Sequence, residues 1–334
     1  MKKRIVTGDR PTGKLHLGHY TGSLKSRLLL QENSEYEQFV MIADMQALTD
    51  NFNQSYKIKS NIYEVVRDYL SIGLDPNKTT IFIQSQVKAI SELTMYYLNL
   101  VSIAKLERNP TIKIELAQKK FNSSIPAGFL CYPINQAADI TIFQGEVVPV
   151  GSDQLPMIEQ TNEIVSRFNR IYNTNCLKKC TAYISPFPKL MGIDGQHKAS
   201  KSLNNAIFLS DTEGDIKEKV KQMYTDPSHI HISSPGKVEG NVVFAYLEAF
   251  HPDKQEVEEL KNQYRKGGLG DMTLKNILNK TLQELLCHFR EKRAKVKDEE
   301  IASILEAGSH KANKIAEETM QQVRAAVGTN YFIS

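Results

Sequence analysis

The chain has 334 residues, 41% hydrophobic and 24% charged, and its 42 Lys and Arg against 38 Asp and Glu leave a net charge of +4. That length supports a full core and points to two domains of about 100–200 residues each, while the near balance of charge excludes an acidic tail and a histone-like polycation. The basic opening has no apolar run behind it and does not read as a signal peptide, and no stretch of about 18 apolar residues offers a transmembrane helix.

The first third alternates strand and helix. Arg4-Ile5-Val6-Thr7 reads as a short strand ending at Gly8, and the continuous apolar run Phe39–Ala43 as a strand buried on both faces. A helix is expected over Leu24–Leu30 between them. In a second helix Ile58, Ile62, Val65, Val66, Tyr69 and Leu70 share one face, and Gly73 stops it before the Asp75-Pro76 turn. Thr80–Gln84 is the next strand. Residues 90–135 break the alternation and read as a mostly helical insertion. Further strands are expected at Val147–Val150 and near Leu190-Met191. After about Asn205 the strand signals stop, and residues 212–224, 241–264, 273–293 and 297–327 are amphipathic and helix-compatible. The expected fold is α/β: a Rossmann-like open parallel sheet forms a nucleotide-binding domain over 1–206, with its helical insertion at about 90–135. An all-helical domain over 207–300 follows, then a C-terminal helix within 301–334 that packs back on the first domain.

Residues 1–206 carry 24 basic and 18 acidic side chains, whereas 207–334 carry 18 and 20. The excess positive charge therefore lies on the expected nucleotide-binding domain, where it suits an anionic ligand. Four scattered cysteines make no disulfide framework and point to a reduced, cytoplasmic protein. Cys176 and Cys180 are close, but no further Cys or His nearby completes a zinc pattern, so no metal site is expected. The chain has 14 Tyr and 13 Phe but no Trp.

Three segments carry chemistry. Thr7–Tyr20, reading TGDRPTGKLHLGHY, follows the first strand and opens a helix. Glycines at such a turn let the backbone approach a ligand, and the helix start offers free N–H groups to an anion. The segment is neither the dinucleotide fingerprint nor a Walker P-loop. Gly192–Asn205, reading GIDGQHKASKSLNN, places two lysines and two serines within five residues of a Gly-rich loop; lysine is a mobile point charge suited to phosphate. In the third, a helix starting at Pro133 brings Tyr132, Gln136 and Asp139 to one polar face amid apolar residues, and an acid facing an apolar cleft can grip a single N–H or O–H.

His16-Leu17-Gly18-His19 resembles the HIGH signature of the class I aminoacyl-tRNA synthetases, and Lys198-Ala199-Ser200-Lys201-Ser202 resembles their KMSKS signature, in the same order along the chain. Tyr132-Pro133 with Ala137-Ala138-Asp139-Ile140, followed by Val148-Pro149-Val150-Gly151-Ser152-Asp153-Gln154, is similar to the tryptophanyl-tRNA synthetase group of that family, and the likeness spans about residues 4–320. The Tyr132, Gln136 and Asp139 spacing is also how tyrosyl-tRNA synthetases grip a phenol; the surrounding Ala-Ala-Asp-Ile and Val-Pro-Val context weighs for tryptophan. An inactive synthetase-like regulator is the alternative from another class, and the intact His16, Gly18, His19, Lys198 and Lys201 weigh against it.

The resemblance implies that tryptophan is activated with ATP and transferred to tRNA(Trp). His16, His19, Lys198 and Lys201 would be catalytic. Arg10, Pro11, Thr12, Gly18, Gly151, Ser152, Asp153, Leu190, Ala199, Ser200 and Ser202 would join them around ATP. Asp139, Tyr132, Gln136 and Gln154 would hold the amino acid, with Asp139 accepting the indole N–H. Mg²⁺ would come with the ATP phosphates and have no cage of its own. A homodimer formed partly by residues 90–130 is implied, with no membrane and no DNA as partners. Ala199 departs from the family's Met and suggests an altered loop closure. Arg265, Lys266 and the basic run Arg290–Lys297 are the expected anticodon contacts in the helical domain.

Overall fold

The computed structural model describes residues 2–119, 125–185, 190–201 and 203–332. Among them five parallel strands form one sheet: β1 (Lys3–Asp9), β2 (Tyr36–Ile42), β3 (Thr79–Ile83), β4 (Val147–Val150) and β5 (Thr181–Ile184), in the order β3-β2-β1-β4-β5. β1 runs in register with β2 from Lys3 opposite Tyr36 to Asp9 opposite Ile42, and meets β4 at Ile5 opposite Val147. The strand order reverses between β2 and β4 on either side of β1. That reversal opens a crevice beyond the carboxyl ends of the strands, which is where such sheets bind ligands.

Alternation along the strands builds two cores. Val6, Phe39, Met41 and Phe82 face one side of the sheet, and Val40, Ile42 and Ile81 face the other. On the first side lie α5 (Lys88–Leu98), α8 (Ala127–Thr141), α9 (Leu155–Ile171) and α14 (Asp298–Val327). On the second side the chain after β1 enters α1 (Leu17–His19), passes through a π-helical turn over Tyr20–Leu24 and continues as α2 (Lys25–Gln31). α4 (Tyr56–Ile72) packs there too, after the short α3 (Asp44–Asn51) that follows β2. The same apolar cluster continues into α10 (Glu213–Gln222), α11 (Val242–Phe250), α12 (Lys254–Lys266) and α13 (Asp271–Lys295), through Ile216, Val243, Leu260, Leu274 and Leu286. Among the described residues between β3 and β4 lie the helices α5, α6 (Ile103–Arg108), α7 (Pro110–Lys119) and α8.

α14 lies on β3, the outer strand. A Cβ on Gly308 would stand 1.9 Å from the Ile81 carbonyl oxygen, and Ser309 Oγ accepts the Ile83 N–H at 3.3 Å. The helix thereby covers a sheet edge whose backbone would otherwise be free to pair.

Four sequence expectations need correction. The fifth strand is Thr181–Ile184 and not Leu190-Met191; Met191 makes only an isolated bridge to Lys198. The true strand lies at the other edge of the sheet with no fully buried residue, so it lacks the apolar run that marks an inner strand. The helix expected from Pro133 starts at Ala127, with Pro133 inside it and buried; packing of Phe129, Ile134 and Ala137 outweighs the missing N–H. Residues 241–264 form two helices because His251-Pro252 breaks the run and Asp253 caps α12, accepting from the Gln255 and Glu256 N–H groups. Within the basic run near the end of α13, Arg293 turns inward to Asp68 and Glu64, so it is not a surface contact for nucleic acid.

Candidate active site

Apart from the lysine loop and α8, which carries Tyr132, Gln136 and Asp139, the segments that build the site follow the carboxyl ends of strands. β1 ends at Asp9, the Gln46 region follows β2, Gln84 follows β3, and Gly151 follows β4.

Asp9 anchors the first turn. Its Oδ2 accepts the Arg27 guanidinium at 2.6 Å and the Tyr69 hydroxyl at 2.6 Å. Burial pushes this carboxyl up, but Arg27 and then His19 hold it well below the usual range. The turn beyond it uses Gly13 at φ +123°, a conformation open to glycine.

The two histidines cap the helix they open. His16 Nδ1 accepts the Gly18 N–H at 3.1 Å, and His19 Nδ1 accepts the His16 N–H at 3.2 Å. The pattern is a capping box built from imidazoles, with ring centroids 3.8 Å apart. Nδ1 as acceptor requires the neutral tautomer with its proton on Nε2, so each ring keeps one N–H to donate. The electrostatics agree. Burial, then His19 and Lys201, pull His16 down to about 2. Burial pulls His19 down to about 4, with Asp9 opposing and Lys201 assisting. Both are neutral donors near neutral pH.

Gly18 is required by its neighbours, since a Cβ there would stand 2.9 Å from the His16 ring and 3.4 Å from the Ala199 Cβ. The same contact shows that the lysine loop lies against the histidine turn. Lys201 Nζ donates to the Gly13 carbonyl at 2.7 Å, and burial lowers it to about 8 despite Asp9. Lys198 is exposed and Ala199 buried beside the buried Leu190, whose carbonyl accepts the Ala199 N–H at 3.3 Å. Asn205, overlooked in the sequence, props the loop: its Oδ1 accepts the Ser200 N–H at 2.8 Å and its Nδ2 donates to Asp194 at 2.9 Å. Ser202 lies outside the described residues.

The other expected ATP contacts are spread around the same crevice. Arg10 is exposed and pairs with Asp50 at 3.2 Å, Pro11 is buried and Thr12 exposed. Gly151 leads into a 3₁₀ turn over Ser152–Gln154; Ser152 and Asp153 are exposed, and Gln154 donates to Asp153 at 3.3 Å.

On α8 the three polar residues have different surroundings. Asp139 is 2% exposed and takes amide N–H groups from Gln84 and Gln46, neither of which the sequence singled out. Burial raises it to about 7, opposed by Gln84 and then Gln46. The Tyr132 hydroxyl donates to Glu115 on α7 at 2.9 Å, and Gln136 is half-buried with no hydrogen-bond partner among the described residues. No group of three or more His, Cys, Asp or Glu side chains is placed to hold a metal among the described residues.

A family model of class I tRNA synthetases (W and Y) matches residues 1–287. The tryptophan–tRNA ligase of Clostridium longisporum is 52% identical over 335 residues, covering 99% of this chain and 98% of that protein. That of Streptococcus mutans is 53% identical over 341 residues, 99% of each. A tryptophanyl-tRNA synthetase from Campylobacter jejuni, solved in complex with ADP and tryptophan, matches with a TM-score of 0.84 at 31% identity, over 97% of this chain and 99% of that one.

Proposed function

The chain belongs to the class I tRNA synthetases of the tryptophan and tyrosine group and is a tryptophan–tRNA ligase of the bacterial type, and from that premise we propose how its residues carry the reaction. The tryptophan carboxylate attacks the α-phosphorus of ATP in line and expels pyrophosphate. The 3′-terminal ribose hydroxyl of tRNA(Trp) then attacks the acyl carbon and releases AMP.

The attacking carboxylate is already an anion, so the first step needs no strong base. It needs alignment and donors placed where charge develops. The observation that carries this reading is the meeting of two neutral imidazole donors and a half-buried lysine at one turn. His16 and His19 offer Nε2–H to phosphate oxygens. Lys201 exchanges its bond to the Gly13 carbonyl for the leaving pyrophosphate, and the exposed Lys198 follows it. Gly18 and Leu190 flank the adenine; Arg10, Pro11, Thr12, Ala199, Ser200 and Ser202 surround the phosphates, and Gly151, Ser152 and Asp153 meet the ribose.

Asp139 accepts the indole N–H, while Tyr132, Gln136 and Gln154 close the amino-acid pocket. A site that hydrogen-bonds a substrate N–H rejects a ligand lacking it by up to about 10⁴–10⁵. The donor set of lysines and imidazole N–H groups suits phosphate and not a bare cation, so Mg²⁺ would be held through ATP and would supply charge neutralisation to its phosphates.

The helical region over 207–300 reads the anticodon through the exposed Lys266, Lys292, Lys295 and Lys297; Arg265 is partly engaged by Glu239 at 3.0 Å. Met95, Ile103 and Ile114 are 62%, 66% and 58% exposed on α5, α6 and α7, apolar side chains that a homodimer formed through the insertion would cover. No helix among the described residues is long and apolar enough to cross a membrane, which is consistent with action in the cytoplasm.

Amino-acid-dependent ATP–pyrophosphate exchange with tryptophan, tyrosine or neither tests the reading. Exchange driven by tryptophan is expected; exchange with tyrosine alone, or with no amino acid supporting it, overturns it.

A further inference from the structure

Two glutamines from the ends of different strands surround the Asp139 carboxylate. Gln84, directly after β3, donates through Nε2 to Asp139 Oδ1 at 2.8 Å and to Oδ2 at 3.0 Å. Gln46, on α3 after β2, donates through Nε2 to Oδ2 at 2.7 Å. The Gln84 amide is locked in this sense. Its Oε1 accepts the backbone N–H of Gln46 at 3.2 Å, and its Nε2 also donates to Asn135 Oδ1 at 2.9 Å. Asn135 is held in turn by donating to Thr94 Oγ1 at 3.0 Å. Flipping the Gln84 amide would set oxygen against oxygen on one side and N–H against N–H on the other. The Gln46 backbone and Asn135 therefore fix the Gln84 amide, and both glutamines turn donors toward Asp139.

A carboxylate bonded to donors is favoured as the anion, and an anion only accepts hydrogen bonds, whereas a protonated carboxyl also donates. We propose that Gln46 and Gln84 are positioning residues for amino-acid selection, which hold Asp139 as an acceptor-only group. Such a group matches an indole N–H, which has a proton and no lone pair to satisfy. It serves a phenol hydroxyl less well, because the phenol oxygen is left without a donor. The inference rests on tryptophan being the amino acid activated.

The groups around Asp139 leave this task to the amides. Burial and the Asp44 charge on α3 both favour the protonated form, and no cation acts on the carboxyl among the described residues. Tyr97 on α5 shares its hydrogen bond with Thr141 at 2.8 Å, Glu92 on the same helix pairs with Arg324, and Tyr132 is taken by Glu115.

The test removes the donors at constant length with Gln84→Met and Gln46→Met, and restores an N–H with Gln46→His. Tryptophan-dependent pyrophosphate exchange is followed from about pH 6 to about pH 9. Near neutral pH, KM for tryptophan is expected to rise about tenfold in either Met variant, with KM for ATP within about twofold. Raising the pH restores KM, because the pH dependence has moved up by about one unit. Gln46→His stays near the unaltered protein.

The chain holds no Trp, so the fluorescence of bound tryptophan also reports affinity directly, even in a variant of low turnover. In the unaltered protein that affinity should tighten as the pH rises through about 7. A flat profile there, or a KM for tryptophan that is unchanged or raised equally at every pH in the Met variants, overturns the proposal. Unaltered protein that exchanges with tyrosine and not tryptophan overturns the substrate assignment instead.

Discussion

Arg293 on α13 donates to Oδ1 of Asp68 on α4, while Oδ2 of the same carboxylate accepts the backbone N–H of Leu15 at 2.8 Å. Asp68 is fully buried, and Arg293 also pairs with Glu64 at 2.6 Å. One side chain of the helical region is thereby tied, through a single buried carboxylate, to the residue that precedes His16. Removing one partner of a buried pair typically costs about 3–5 kcal/mol, because the other charge is stranded. Arg293→Met should lose stability on that scale in denaturant unfolding. It should also raise KM for ATP more than KM for tryptophan, since Leu15 lies on the turn beside His16. Arg293→Lys, which keeps the charge and loses the fork, should fall between. An ATP KM unchanged in a destabilised Arg293→Met would confine Arg293 to packing.

The depressed pKa values of His16 and His19 set an acid-sensitive window. A histidine held neutral in the fold but ordinary when unfolded takes up protons on unfolding once the pH drops below about 6.5. Its contribution is complete above that value and is lost as the pH falls toward about 4 for His19 and about 2 for His16. Asp68 and Asp139, raised to about 6 and about 7 by burial, act in the opposite direction over the same range. The histidine term is therefore read by difference. Relative to His19→Asn, the unaltered protein should lose about 1–2 kcal/mol between about pH 7 and about pH 5. Parallel stability curves for the two proteins would mean that His19 is not held neutral.

What could be seen in the sequence depended on whether a residue type carries chemistry by itself. His16, His19, Lys198 and Lys201 were legible because paired imidazoles and paired lysines, each beside glycines, are residue types that handle phosphate and stand in two recognisable local segments. Gln46 and Gln84 were not, since an amide has no local signature and these two become partners of Asp139 only when two separate strand ends and α8 are brought together. Arg293 was misread because a basic run on a helix looks solvated, and its partner Asp68 lies 225 residues away. The inner strands were legible as apolar runs, whereas the edge strand Thr181–Ile184, exposed at both ends, was not.

Lys201 and Lys198 should separate kinetically. Lys201 is half-buried against the histidine turn and bonded to Gly13, whereas Lys198 is exposed. Removing one preorganised group that stabilises developing charge typically costs about 10²–10³ in rate. Lys201→Ala should lose about that much in kcat for pyrophosphate exchange while KM for ATP changes far less; Lys198→Ala should lose less. Because burial lowers Lys201 to about 8, its charge is shed as the pH passes that value, and kcat should decline there in the unaltered protein. Equal losses for the two alanine variants would remove the distinction drawn from their burial.

Gly308 tests the packing of α14 on the sheet apart from the chemistry. A methyl group at this position would meet the Ile81 carbonyl oxygen at 1.9 Å, and that oxygen belongs to backbone held in register by β2, so it cannot swing aside as a side chain could. The helix has to lift off β3 or bend. Overpacking usually costs about 1–3 kcal/mol, and a contact this short against backbone belongs at or above the upper end. Lifting α14 also stretches the Ser309 bond to the Ile83 N–H, directly before Gln84. Gly308→Ala should therefore lower the unfolding midpoint markedly and, among molecules that remain folded, raise KM for tryptophan through Gln84 while leaving KM for ATP alone. A variant as stable as the unaltered protein would show that α14 does not sit this closely on β3 in solution.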